Sequence, residues 1–198
     1  MHCCKKLLNG MLRSALLALL FIAAAHAEGI SANKAETRLS EGGYQLSAGY
    51  DINLTFAARH ALERGVPLYF VGEFLLTHPR WYWLDEEIFQ SEQTVKLSYN
   101  VLTRQYRISR GALFQNFAGL EDALNILSRQ SSTVIPAELV EKNKSYIAAA
   151  RLRLDIAQLP KLLQVNALTG KDWTLNSDWH RWVINTAEMT VGSVGQTE

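Results

Sequence analysis

The stretch Val66–Arg110, VPLYFVGEFLLTHPRWYWLDEEIFQSEQTVKLSYNVLTRQYRISR, decides the fold. Its first part is apolar on both sides. Leu68, Phe70, Phe74 and Leu76 fall on one face and Tyr69, Val71 and Leu75 on the other, as in a central strand covered on both faces. Glu73 alone interrupts that pattern. Pro79 breaks the strand, and Arg80 to Ile88 resumes an extended pattern. Val95, Leu97, Tyr99 and Val101 then alternate with Lys96, Ser98 and Asn100; after a turn near Thr103, Tyr106 and Ile108 alternate with Gln105, Arg107 and Ser109. A period of two marks half-buried strands, and this pair reads as a hairpin although its turn lacks Asn-Gly.

Upstream, Tyr44, Leu46, Ala48, Tyr50 and Ile52 share one face of a further strand. Thr37–Leu39 is its candidate partner across Glu41-Gly42-Gly43, with Gly29–Lys34 a mobile lead-in. Leu54, Ala58, Ala61 and Leu62 recur at helical spacing between an Asn53 N-cap and the stop signals Gly65 and Pro67. Downstream, Ala112–Phe117 is a short apolar segment, and Leu120, Ala123, Leu124 and Leu127 give a second helical stripe, with Glu121 and Asp122 at its positive end. Pro136–Lys144 has room for a helical turn, and Tyr146–Ile156 returns to strand. Leu162–Leu168 fits either strand or short helix; Trp173–Ile184 is extended and carries Trp173, Trp179 and Trp182. The expected architecture is α+β: a mostly antiparallel β-sheet system or sandwich with two helices packed on it.

The chain has 198 residues. Lys5, Lys6 and Arg13 precede the apolar run Ser14–Ala25, and Ala25-His26-Ala27 sets small residues before Glu28: the order of a secretory signal peptide. The run is shorter than the about 20 apolar residues of a membrane span. The expected organisation is a leader at 1–27, a lead-in with a possible short first strand at 28–43, one α+β domain at 44–185 and a disordered tail at 186–198. Localisation is then periplasmic or exported, an uncleaved inner-membrane anchor being the alternative. Both cysteines, Cys3 and Cys4, lie in the leader, so the exported part has no thiol for a disulfide. Without the three basic leader residues, 17 basic side chains face 19 acidic ones. A near-neutral chain without a basic run argues against nucleic acid and against an electrostatic membrane-surface role.

The residues Gly65-Val66-Pro67-Leu68, Arg80-Trp81-Tyr82-Trp83-Leu84-Asp85, Leu97–Tyr106, Leu154-Asp155, Leu159-Pro160-Lys161 and Trp179-His180-Arg181-Trp182 carry a resemblance to a proteobacterial secreted family catalogued as domain of unknown function 4390. The resemblance spans Tyr44 to Trp182. It implies an envelope or signalling setting, since members are often encoded beside a nitrogen-regulatory sensor kinase pair, but no activity and no catalytic residues. Where that family often has a second proline after Lys161, this chain has Leu162.

Specific chemistries have little footing. His60, His78 and His180 lack metal-ligand spacing, no Gly-x-Ser-x-Gly elbow occurs, and Gly42-Gly43 is a turn signal, not a phosphate loop. No catalytic residue, metal or cofactor is expected. Asp85-Glu86-Glu87 beside the tryptophans invites a glycosidase reading, but Asp85 and Glu87 share a strand face with no evident cleft. The remaining lead is aromatic. Arg80, Trp81, Trp83, Asp85, Arg104 and Trp179 are the candidate binding residues, as a stacking platform for a glycan or a groove for a partner protein of the envelope. Arg104 and Arg107 could stack on these rings or pair with Asp85 or Asp155. Against this stands ordinary packing, since large aromatics are buried on average. The leading reading is a non-enzymatic binding module; a cell-wall carbohydrate enzyme and a purely structural protein are the alternatives.

Overall fold

A computed structural model describes residues 29–82 and 84–187. The leader lies outside the described residues, as does the tail beyond Ala187. The strands are β1 (Gly29–Ser40), β2 (Gly43–Asn53), β3 (Leu68–His78), β4 (Glu86–Asn100), β5 (Gln105–Arg110), β6 (Leu113–Phe117), β7 (Arg129–Ser131), β8 (Ile135–Pro136), β9 (Ser145–Leu154) and β10 (His180–Asn185). Among the described residues three short α-helices join them: α1 (Phe56–Glu63), α2 (Leu120–Leu127) and α3 (Lys161–Thr169). The large sheet has the order β10-β9-β3-β4-β5-β6; the small one runs β1-β2-β7, with β8 also on β2. All pairings are antiparallel. The expected α+β architecture is the one observed, with a third helix added.

The core is the alternation made physical. Leu68, Phe70, Phe74 and Leu76 of β3 are buried with Leu46, Ala48 and Tyr50 of β2. Val95 and Leu97 of β4 and Leu152 and Leu154 of β9 extend the layer. Gly72 sits among them because its position is taken: a Cβ there would meet the buried Gln130 side chain of β7 at 3.3 Å. At Gly43 a Cβ would lie 1.8 Å from the Ile135 carbonyl oxygen, so only glycine lets β8 pair there.

Three local expectations change. The segment read as a lead-in is the start of β1, a twelve-residue strand. Its register shifts between Ala32 and Lys34, which breaks the parity that a period of two relies on. The first helix is capped by Thr55, not Asn53, because β2 continues through Asn53; the Thr55 hydroxyl accepts from the Ala58 N–H at 3.3 Å. Gly65, at φ +86°, closes that helix, donating to Leu62 O at 2.8 Å while Val66 donates to Ala61 O at 3.0 Å. The extended pattern expected over Arg80–Ile88 is strand only from Glu86, where β4 begins; Arg80–Tyr82, Leu84 and Asp85 are loop. Leu162 lies in the first turn of α3, after Pro160, whose carbonyl accepts from Leu163 N–H at 2.8 Å. A first turn accepts either proline or leucine, so the departure from the family pattern leaves the helix start intact.

Candidate functional site

The β3–β4 hairpin outruns its sheet. β9, the other neighbour of β3, begins at Ser145, and its pairing with β3 ends at Thr77↔Ile147. At that level His78 makes a 3.1 Å hydrogen bond through Nδ1 with the Ser145 carbonyl and its ring meets Tyr146 at 5.4 Å. Past this point only the loop continues, beyond the β3–β4 ladder. An extra residue on β4, between the pairs Leu76↔Phe89 and Thr77↔Glu87, bends it, and His78↔Glu86 is its last pair. Residues 79–82, 84 and 85 therefore project past the end of β9.

Trp81 is 94 % exposed, Leu84 82 % and Tyr82 66 %. The loop is held internally. Arg80 pairs with Glu86 across its base, and the Trp81 and Tyr82 rings stand edge to face with centroids 5.1 Å apart. Asp85 and Glu87 are exposed beside them. The result is an apolar aromatic tip on a base carrying both charges. Trp83, another candidate, lies outside the described residues.

The remaining candidates are elsewhere. Arg104 occupies the β4–β5 turn, at the opposite end of the fifteen-residue β4 from the tip. At a rise of about 3.3 Å per residue that end is roughly 45 Å away. Arg104 has φ +54°, and Asn100 Oδ1 accepts from the N–H groups of Leu102 and Thr103, at 3.0 and 3.1 Å, to hold the turn. Trp179 lies on the outer face of the large sheet, with the Arg151 guanidinium 4.6 Å from its ring centre. Arg151 also bonds the Glu73 carboxylate, through Nε at 2.6 Å; Arg153 Nε reaches its other oxygen at 2.7 Å. Glu73, only 5 % exposed, is thus enclosed by two arginines, and its hydrogen bond and charge raise the Arg153 pKa. Arg107 reaches neither the tip nor an acid. It stacks on Phe114 at 4.6 Å and donates to Asn116 Oδ1 at 2.8 Å.

Arg80, Trp81 and Asp85 are therefore brought together, and Arg104 and Trp179 are not. Tyr82 and Leu84 belong to the same tip, though neither is among the candidate binding residues read from the sequence. Of the other tryptophans, Trp173 is buried and Trp182 donates from Nε1 to Thr37 Oγ1 at 3.0 Å, tying β10 to β1. The surface has an open hollow of about 1090 Å³ over the small sheet and α2, lined by Lys34, Glu36, Asp51, Asn125 and Arg129 among others, and a smaller one of about 350 Å³ beside the β4–β5 turn. Neither is lined by Asp85 or Glu87. No helix among the described residues is long and apolar enough to cross a membrane.

A family model described as domain of unknown function (DUF4390) matches residues 27–183, and the chain belongs to that family. No curated protein matches it. No solved structure matches it either.

Proposed function

We propose that this member of a family of unknown function is a non-enzymatic binding module of the cell envelope that engages a partner protein through the hairpin tip Arg80–Asp85. The exposure of Trp81 carries the reading. A tryptophan costs free energy in water, and here it stands beside Tyr82 and Leu84 on a loop braced by its own Arg80–Glu86 pair. Tryptophan, tyrosine and arginine are the side chains that dominate binding energy in protein interfaces. A tip ordered before contact loses little conformational entropy on docking. Asp85, Glu86 and Glu87 beside the aromatics disfavour an anionic lipid surface and favour a protein partner with a complementary cation. The leader reading supplies the envelope setting.

The test is a pulldown with the wild-type chain and with Trp81→Ala, monitored by circular dichroism. The proposal expects a partner retained by the wild type and lost by a variant whose spectrum is unchanged. A partner retained equally by both overturns it. A glycan ligand is the competing outcome, recognised by elution of the captured complex with soluble cell-wall saccharide.

A further inference from the structure

The edges of the two sheets are not alike; the one formed by β7 and β8 carries Arg129 and Pro136. β1 carries Lys34, Glu36 and Arg38 and a register break at Ala32/Lys34. β10 carries His180 and Arg181 and is tied to β1 by the Trp182–Thr37 hydrogen bond. Charges and bulges of this kind keep edges from pairing with another chain. β6, Leu-Phe-Gln-Asn-Phe, has none of these devices: no charge, no proline and no register shift against β5. Leu113 is 79 % exposed and Phe114 63 %, and Gln115 and Asn116 are exposed as well.

The geometry points to a second copy of this chain as the occupant of that edge, pairing β6 with β6 antiparallel about a twofold axis at Gln115. In that register Leu113 faces Phe117 of the other copy, Phe114 faces Asn116, and Gln115 faces Gln115. The strand is self-complementary, and with no charge in it the axis brings no like charges face to face. Leu113, Gln115 and Phe117 lie on the same side of the sheet as the buried Ile108. Phe117 already packs against the core, so Leu113 of one copy gains the continuation of the other's core. The neighbouring cations are engaged: Arg107 with Phe114 and Asn116, and Arg110 with the carbonyls of Ile126 and Arg129. The dimer is a continuous twelve-stranded sheet, since each copy contributes six strands. Reversing the strand direction across the axis sends the two Trp81 tips to opposite ends, clear of the joint. Five residues bury less than the about 1,200 Å² of a tight complex, so the dimer dissociates on dilution.

A charge swap tests the pairing. Gln115→Lys and Gln115→Glu each set like charges against one another across the axis. Light scattering of the full-length chain, with Cys3→Ser and Cys4→Ser to silence the thiols, should give a concentration-dependent dimer. Each variant alone should be a monomer with an unchanged circular dichroism spectrum, and their equimolar mixture should dimerise again. In the same background Gln115→Cys should form a disulfide-linked dimer under mild oxidation, whereas Lys142→Cys, exposed on the loop before β9, should not. A chain that stays monomeric at all soluble concentrations, or a mixture that fails to recover the dimer, overturns the assignment.

Discussion

Two regions of this protein set tryptophan beside arginine and acid, and they behave oppositely. At mid-sheet, Trp179 lies on Arg151, which with Arg153 encloses Glu73. At the hairpin tip, Trp81 has Arg80, Asp85 and Glu86 close by in sequence yet remains 94 % exposed. The residue types are the same; what differs is the neighbouring strand. β9 runs beside β3 at Glu73 and stops before the tip, so one tryptophan has a surface to cover and the other has none. An aromatic that closes no structure is free to be spent on binding.

The comparison breaks most visibly at Glu73. Glu73→Gln removes the buried carboxylate and leaves two arginines without their acid. Losing one partner of a fully buried pair costs about 3–5 kcal/mol. Arg151 and Arg153 keep about a third of their surface in water, so solvent screening brings the expectation to about 2 kcal/mol, read as a lower urea midpoint. Trp179→Ala should lose about 1–2 kcal/mol, because the cation–π contact and the cover over Arg151 go together.

Tyr50, on the inner side of the same sandwich, gives a pH test. Its hydroxyl is buried without a hydrogen-bond partner; burial, and secondarily the Glu73 charge, push its pKa well above the usual phenol value. The unfolded phenol ionises near pH 10, to order of magnitude. The stabilising contribution of the neutral folded phenol is therefore complete below about pH 10 and is lost as pH rises from there toward the folded value. Tyr50→Phe should flatten that alkaline loss and, by removing an unsatisfied buried polar atom, stabilise the fold by about 1 kcal/mol at neutral pH in urea titrations. The smallest effect on stability belongs to Trp81→Ala, below about 0.5 kcal/mol, since the ring is 94 % exposed. A large loss there would make the tip structural and erase the contrast.

Much of this contrast was hidden in the sequence. The alternation over Leu68–Leu76 and Val95–Ile108 announced the central strands because each side chain's face follows from parity. β1 was illegible beyond its last residues because a bulge near Asn33 shifts that parity, and because Lys34, Glu36 and Arg38 look like loop residues when read alone. α3 was ambiguous because Leu162 and Val165 are exposed, which blurs any apolar stripe. Glu73 was visible as a lone acid in an apolar strand, but its arginines lie on β9, more than seventy residues away. The tip was visible as composition only. Residue averages favour burial for tryptophan, and exposure at Trp81 depends on where β9 begins, a long-range register that no local pattern encodes. Arg104 and Trp179 were grouped with the tip by residue type; the length of β4 and the course of β10 separate them from it.

The most direct test uses the two ends of β4. Trp81 and Leu102 are both 94 % exposed, one at the aromatic tip and one in the β4–β5 turn. A photo-crosslinking amino acid placed at position 81, and separately at position 102, compares the two ends in living cells at equal exposure. The account predicts one discrete protein adduct from position 81 and none from position 102. Equal labelling from both ends, or no adduct from position 81, would contradict it.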